Sequence, residues 1–295
     1  DGTWEELKDW SQNESKLRVY QVKRDWDHYR FALFDFQQKS VARSLCKGDW
    51  CWQSDVDEIV HEDDYDKVKK LARQIPKSVK IVCLPVIDYW GNKDKVRLDV
   101  HPWKWRLSKN DTHIVHDIPA EQRRYDENGN LFSIGSDGCD YVHIDNYQPI
   151  AHMNFYTKDH DNFRNEILIN NSFREDNLQK YVNFINAATK ELPSVYHYSW
   201  FDIKRKIYNY RDFWSRFHAS LYNKKVDDTA ENNKFFNKPW SKVSEKEIVD
   251  MANTLNNKFG GWVFHKRVDL DSATPWYHID KAHPKIIKTW LKQRR

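Results

Sequence analysis

The chain has 295 residues and a formal charge of +4, because 48 basic side chains nearly balance 44 acidic ones. This balance argues against a dedicated nucleic-acid binder, and no apolar run approaches the ~20 residues of a membrane span. The four cysteines form no CxxC pair and the sequence shows no signal peptide, so we expect a reduced, cytoplasmic protein.

Helical and strand-like patterns alternate along the first half of the chain, which indicates an α/β fold. Helices are predicted from Trp4 to Gln12 and from Phe34 to Cys46, with a strand over 17–22 between them. The second helix carries Gln38 and Lys39, most simply as part of a solvated face. This part of the sequence alone assigns no chemistry to either side chain.

A cluster of acidic residues follows the next predicted strand, from Asp49 to Ser54, and a polar loop is expected after it. In open α/β sheets, ligands bind outside the carboxyl ends of strands. Along an extended chain, Asp55 and Asp57 point to the same side, roughly 6–7 Å apart. Two such carboxylates suit one Mg²⁺ or Mn²⁺ ion carrying a diphosphate.

A structural reading of acids in this region stands beside the metal reading. Acidic residues after a strand often cap the helix that follows, and the next helix is predicted from Tyr65 to Ile75. Glu62, Asp63 and Asp64 are placed for that role. From the spacing alone, the D-x-D pattern is as compatible with a loop as with a site.

The middle of the chain is predicted to hold further strands. A strongly apolar strand is expected over 79–87, where Pro85 suggests a sheet edge or a bend. Residues 88–92 are expected to form a loop on the acceptor side of the site, and 96–107 alternate as a strand. Turn residues and helical periodicity add a hairpin over 123–139 and two helices over 161–192.

The last third of the chain is predicted to be mainly helical. An alternating run over 195–200 precedes a basic, aromatic helix over 201–222, a polar loop over 223–241 and a helix over 245–259. The basic helix over 284–295 suits peripheral contact with anionic lipid as well as a fully solvated position.

Three motifs resemble those of the family 2 glycosyltransferases, which are nucleotide-sugar enzymes of the GT-A fold. The first is Gly48-Asp49-Trp50 followed by Asp55-Val56-Asp57-Glu58 and His61-Glu62. The second is Trp105-Arg106-Leu107. The third is Tyr196-His197-Tyr198-Ser199-Trp200, which is typical of a subset of the family.

The resemblance implies a mixed sheet flanked by helices over 1–200 and a helical extension over 201–295 that packs on it. Asp1-Gly2-Thr3 resembles the element that follows the second strand of the family's domain. A strand, a helix and a strand that hold much of the nucleotide are therefore expected before this point. Either this chain lacks them or the nucleotide site is completed otherwise.

The resemblance also assigns roles to individual residues. The metal ligands for Mn²⁺ or Mg²⁺ are Asp55, Asp57 and His197. The donor is contacted by Lys39, Gln38 and Asp55. The general base is Asp117, because it falls at the family's H-E pair, with Asp137 and Asp140 as the next candidates.

The function implied is inverting transfer of a sugar, in surface-polysaccharide or glycan synthesis. The donor would be a nucleotide-sugar, foremost a UDP-sugar, and the acceptor a hydroxyl of a glycan or a lipid-linked glycan. Two alternatives remain open. One is a carbohydrate-binding or scaffold protein that keeps the fold without turnover. The other is a metal-dependent phosphodiesterase, which requires more histidines close to the acids than His61 alone.

Overall fold

The fold is described from a computed structural model of the chain. The described residues are 2–25, 32–97, 103–116, 141–143, 152–153, 183, 186–187, 189–216, 228–229, 233, 235–257, 276–278 and 282–293. Within them, helices and strands combine into a mixed sheet flanked by helices, which confirms the α/β class. Every helix in these ranges is too short or too polar to traverse a lipid bilayer.

The regular elements are numbered in chain order. The helices are α1 (Thr3–Asn13), α2 (Ala32–Ser44), α3 (Tyr65–Gln74), α4 (Ile203–Asn209), α5 (Glu245–Asn257) and α6 (Lys285–Gln293). The strands are β1 (Trp50–Trp52), β2 (Glu58–Val60), β3 (Ile81–Trp90), β4 (Lys95–Arg97), β5 (Trp103–Lys109), β6 (Ile114–His116), β7 (Tyr141–His143), β8 (His152–Met153), β9 (Val195–Trp200) and β10 (Trp276–His278). Short 3₁₀ turns precede α3 and α5, and a π-helix follows α4.

Strand β3 is the centre of the larger sheet, and all ten of its residues are buried. Its first half pairs antiparallel with β5 and parallel with β8, and its second half pairs antiparallel with β4 and parallel with β9. Strand β9 in turn pairs antiparallel with β2, and β5 pairs with β1. A strand buried on both faces needs an almost continuous apolar sequence, which is what β3 has.

Pro85 lies in the middle of this central strand, so the predicted sheet edge is wrong. Pro85 is the last residue of β3 that pairs with β5, and its partner there is Trp103. It also lies between the residues of β3 that pair with β8 and those that pair with β9. Proline lacks the N–H that a ladder uses, and this change of partners is where the loss is tolerated.

Three local predictions need correction. Residues 17–22 form no strand with any described residue, although half-buried and exposed side chains alternate over 17–20. Where a polar loop was expected after the acidic cluster, the chain instead forms strand β2, which pairs antiparallel with β9. The loop expected over 88–92 begins only at Gly91, because Asp88, Tyr89 and Trp90 are buried at the end of β3.

Two apolar clusters lie at the two ends of β3. One surrounds its first half with Leu71 of α3 and Trp105 and Leu107 of β5. The other joins Trp90 and Trp200 to α4 and α5, and the Trp90 indole N–H donates to the Leu255 carbonyl at 3.0 Å. The helices after β9 therefore pack directly against the end of the strands that carry the candidate site.

The segment before α6 is attached to the same end of the sheet. His283 Nε2 lies 2.8 Å from the Lys93 carbonyl, and its Nδ1 lies 2.9 Å from the Tyr198 hydroxyl. The Lys285 N–H donates to both carboxylate oxygens of Glu62 at 3.2 Å. The predicted hairpin over 123–139, and most of the predicted helices over 161–192, lie outside the described residues.

Candidate functional site

The candidate site is a row of ionisable side chains across three neighbouring strands. His197 of β9 is the register partner of Glu58 on β2 and of Asp88 on β3. Directly opposed residues project to the same face of a sheet, so the three side chains meet on one face. Asp57 immediately precedes β2, and its backbone carbonyl accepts from the Tyr198 N–H at 2.9 Å.

His197 stands between two carboxylates. Its Nε2 lies 3.6 Å from Asp57 Oδ2, and its Nδ1 lies 3.1 Å from Asp88 Oδ1. The His197 and Asp88 side chains are 13% and 7% exposed, whereas Asp57 is 38% exposed. Asp57 is thus the member of the trio that a ligand reaches from solvent.

The charges of the trio stabilise one another. Burial disfavours ionised Asp57, but hydrogen bonding to His197 and the charges of His197, Lys206 and Lys104 outweigh it and hold the pKa of Asp57 well below its usual range. Burial likewise disfavours protonated His197, but the charge of Asp88 and hydrogen bonds to Asp57 and Asp88 raise the pKa of His197 overall. With no cation bound, the two carboxylates therefore favour the protonated form of the His197 imidazole.

Glu58 anchors the buried side of the site. Its side chain has no exposed surface, and it accepts from Arg106 Nε at 2.6 Å, from Arg106 Nη2 at 2.7 Å and from Lys104 Nζ at 2.7 Å. Burial opposes its ionisation, but these bonds and charges lower the pKa of Glu58 overall. Lys104 Nζ also lies 3.4 Å from His197 Nδ1, so Lys104 links Glu58 to the trio of His197, Asp57 and Asp88.

Asp55 faces cations and not the His197 imidazole. Its carboxylate lies 3.1 Å from Arg106 Nη2 and 3.8 Å from Lys39 Nζ. Lys39 is thereby brought to the rim of the site. Gln38 is used differently, because its side-chain amide donates to the Val22 carbonyl at 3.0 Å.

A turn explains why the two aspartates diverge. The sequence prediction assumes that 55–57 are extended, but the chain turns there, and the Glu58 N–H donates to the Asp55 carbonyl at 3.0 Å. Strict alternation of side chains applies only to an extended strand. The turn directs Asp57 to β9 and leaves Asp55 with Arg106.

The arrangement fits a small divalent cation at Asp57 and His197. Two ligands with bonds of ~2.0–2.2 Å to one ion lie roughly 3–3.5 Å apart, close to the 3.6 Å separation of these two atoms. A carboxylate on the second ring nitrogen, as Asp88 provides, is the usual support for a metal-binding histidine. Across the described ranges, no group of three or more His, Cys, Asp or Glu side chains forms a complete metal site.

Of the sequence-predicted set, the structure brings Asp57 and His197 into contact and pairs Asp55 with Lys39, so Asp55 does not join the other two predicted metal ligands. The candidate bases Asp117, Asp137 and Asp140 lie outside the described residues and stay predictions. The His61 side chain stabilises a local turn, where its Nδ1 accepts from the Asp63 N–H at 3.1 Å.

Sequence reasoning missed the parts played by Asp88, Lys104 and Arg106. Each lies in a strand whose neighbours are largely apolar or aromatic, and a charged side chain in such a setting is a signal for a buried ion pair or a site. The sequence prediction places Asp88 in a loop. It uses Arg106 only as one letter of the second motif.

No family model, curated protein or solved structure gives a significant match to this chain.

Proposed function

We propose that this protein is a metal-dependent, inverting glycosyltransferase with a GT-A type of fold. It would transfer a sugar from a nucleotide-sugar donor, foremost a UDP-sugar, to a hydroxyl of a glycan or lipid-linked acceptor. The observation that carries the proposal is the 3.6 Å contact between Asp57 Oδ2 and His197 Nε2, with Asp88 behind the imidazole. The first and the third of the motifs that resemble those of the family 2 glycosyltransferases meet at this contact.

The electrostatics support a ligand role for Asp57. An efficient general base has a pKa near the working pH, so that it is free to take a proton and is basic enough to hold it. The pKa of Asp57 is held well below its usual range, so this carboxylate remains ionised and is a poor proton acceptor. It suits binding of a cation, and proton abstraction is left to another residue, foremost Asp117.

The remaining residues of the site have supporting tasks. Asp57 and His197 would hold Mn²⁺ or Mg²⁺, and the cation, when bound, neutralises charge on the departing diphosphate. Asp88 orients the imidazole, and Arg106 holds Glu58 and Asp55 in place. Lys39 lies at the rim beside Asp55, within reach of an anionic ligand.

The test measures release of UDP from a panel of UDP-sugars by the full-length protein, with Mn²⁺ or with chelator. Wild type should release UDP only with the cation, and Asp57→Asn should abolish both this release and Mn²⁺-dependent UDP binding by calorimetry. Asp66→Asn is the matched control, because Asp66 is an exposed carboxylate on α3 that pairs with Lys69 one turn along the same helix.

Each rival function has its own outcome in this experiment. Binding of UDP-sugar without release, with or without acceptor, would identify a carbohydrate-binding or scaffold protein. Cleavage of bis-p-nitrophenyl phosphate that depends on Asp57, without release from any nucleotide-sugar, would identify a phosphodiesterase. Equal UDP affinity in wild type and Asp57→Asn would overturn the metal assignment.

A further inference from the structure

His283, which lies just before α6, bonds to two separate parts of the sheet. Burial lowers the pKa of His283, which favours the neutral form of its ring. Its Nε2 lies 2.8 Å from the Lys93 carbonyl oxygen, which can only accept, so Nε2 carries the proton. Its Nδ1 therefore accepts from the Tyr198 hydroxyl, at 2.9 Å. The His283 ring also contacts that of Tyr89, with 4.7 Å between the two centroids.

Tyr198 lies at an irregular point of β9, directly after His197. Between two successive register pairs, β9 has two residues, Tyr198 and Ser199, where β3 has only Tyr89. An extra residue of this kind is a β-bulge, which disrupts the ladder locally, bends the strand and is frequent next to active sites. The position of Tyr198 therefore depends on its side-chain contacts as well as on the ladder. These contacts include a stacked ring, that of Tyr89, at 5.0 Å between centroids.

The backbone of Tyr198 is bonded to Asp57. Its N–H donates to the Asp57 carbonyl at 2.9 Å, one residue beyond the register pair of Glu58 and His197. Asp57 itself lies in the turn before β2, so this bond is a direct backbone link between that turn and β9. A shift of Tyr198 would move the Asp57 carboxylate relative to His197 Nε2, which lies 3.6 Å from it.

The segment that carries His283 also bonds to the chain beyond β2. The Lys285 N–H donates to the Glu62 carboxylate at 3.2 Å, and Glu62 lies two residues after the end of β2. Lys93 lies three residues after the end of β3. Residues 283–285 are thus bonded just beyond β2, just beyond β3 and within β9. These are the three strands that hold the trio of the candidate site.

We infer that His283 is a positioning residue of the candidate site. By accepting from the Tyr198 hydroxyl, it fixes the bulge of β9 and with it the separation at which Asp57 and His197 can share one cation. This inference rests on the proposed function and deepens it. A metal site needs its ligands held within about 0.5 Å of the binding geometry, and hydrogen bonds behind the ligands provide that support.

The test uses two replacements of His283 that separate its two bonds. Asparagine places an amide oxygen near the position of Nδ1 and can accept from the Tyr198 hydroxyl, whereas glutamine places an amide N–H near Nε2 and can donate to the Lys93 carbonyl. In calorimetric Mn²⁺ titrations, His283→Gln should weaken binding by about threefold or more, and His283→Asn should remain within about twofold of wild type.

Tyr198→Phe removes only the hydroxyl and should weaken Mn²⁺ binding by the same factor as His283→Gln. The double variant should bind no more weakly than either single variant, because both substitutions remove the same bond. His113→Gln is the matched control, since His113 is 51% exposed and pairs with Asp111 between β5 and β6. It should bind Mn²⁺ as wild type does.

Thermal unfolding establishes that each variant is folded, and Tyr198→Phe takes the place of His283→Gln if that variant does not fold. A folded Tyr198→Phe with the Mn²⁺ affinity of wild type would overturn this inference alone, because the bond would then contribute only to stability. Equal losses in His283→Asn and His283→Gln would also overturn it. Absence of Mn²⁺ binding in wild type would overturn the metal assignment of the proposed function and this inference with it.

Discussion

His197 and Asp88 are register partners in the parallel pair β9 and β3, and their Nδ1 and Oδ1 atoms lie 3.1 Å apart. The contact joins a largely buried imidazole to a buried carboxylate in the middle of the sheet. It orients the ring so that Nε2 faces Asp57, and the charge of Asp88 accounts for part of the raised pKa of His197.

Asp88→Asn should lower the pKa of His197, because it removes the charge that contributes most to favouring the imidazolium. Histidine side-chain NMR across a pH titration measures the value directly. In the same experiment, Asp66→Asn should leave the titration of His197 unchanged, since that carboxylate is on the exposed face of α3. An unchanged titration in Asp88→Asn would contradict the contact between the Asp88 carboxylate and the imidazole.

The stability of the metal-free protein should depend on pH through His197. Its pKa in the folded state is raised above 6.5, so the stability it contributes is fully present below that value and is lost as pH rises through the folded-state pKa. Urea unfolding at several pH values gives the free energy of unfolding of wild type and of His197→Asn, and the difference between the two isolates the contribution of His197. If the stability contributed by His197 grew with rising pH, the predicted direction would be wrong.

Affinity for Mn²⁺ should rise with pH, because the metal binds neutral imidazole and competes with the proton. A histidine ligand with an unshifted pKa would lose the metal as pH falls through roughly 6–6.5. The raised pKa of His197 moves that fall to higher pH. Calorimetric Mn²⁺ titrations between mildly acidic and mildly alkaline pH measure the midpoint, and a midpoint below about 6 would exclude His197 as a ligand.

Glu58→Ala should destabilise the fold by about 3–5 kcal/mol, because it leaves the buried Arg106 guanidinium and the half-buried Lys104 ammonium without their shared carboxylate. Urea unfolding measures the loss. Glu245→Ala is the comparison, since Glu245 forms an exposed ion pair with Lys204 and should change the unfolding midpoint little. Similar losses in the two variants would show that the Glu58 pair is far more solvated than its burial indicates.

Gly91→Ala should destabilise the protein by more than about 1 kcal/mol. Gly91 has φ +70°, and an added Cβ would lie 2.1 Å from Asn256 Oδ1 and 3.3 Å from Ile203 Cδ1. The turn after β3 would have to separate from α5 to accept it. Gly48→Ala offers a matched change, because its nearest contact is an ordinary 3.5 Å to the Trp50 carbonyl, and it should be close to neutral. Urea unfolding of both variants measures the difference.

Asp117→Asn should lower kcat by about 10²–10⁴-fold and leave UDP binding intact, as expected for a general base. Single-turnover rates and calorimetry on the same preparation separate the two effects. If binding and rate fall together, Asp117 is a binding residue, and Asp137 or Asp140 becomes the candidate base.

The sequence by itself determined the α/β class and the helices α1, α2, α3 and α5 to within about two residues, and it singled out Asp57 and His197, which the structure places in contact. These follow from signals that are local in the chain: periodicity of apolar residues, capping residues and short motifs. Predictions that needed a partner strand were less successful. Residues 17–22 alternate in sequence like a strand but have no ladder among the described residues, while β2 (Glu58–Val60), where a loop was expected, is a strand because β9 pairs with it.

Only the tertiary structure decided which charges meet. The register of β9 between β2 and β3 places His197 beside Asp88 and Glu58, and the turn at 55–57 separates Asp55 from Asp57. A one-residue slip of β9 would turn every one of its side chains to the opposite face, and nothing within the β9 sequence specifies its neighbours. The Lys206 ammonium lies 5.6 Å from the Trp200 ring centroid and 5.7 Å from that of Trp214. α-Helical periodicity does not predict the second contact, because the π-helix from Tyr210 to Trp214 changes the side of the helix on which Trp214 lies.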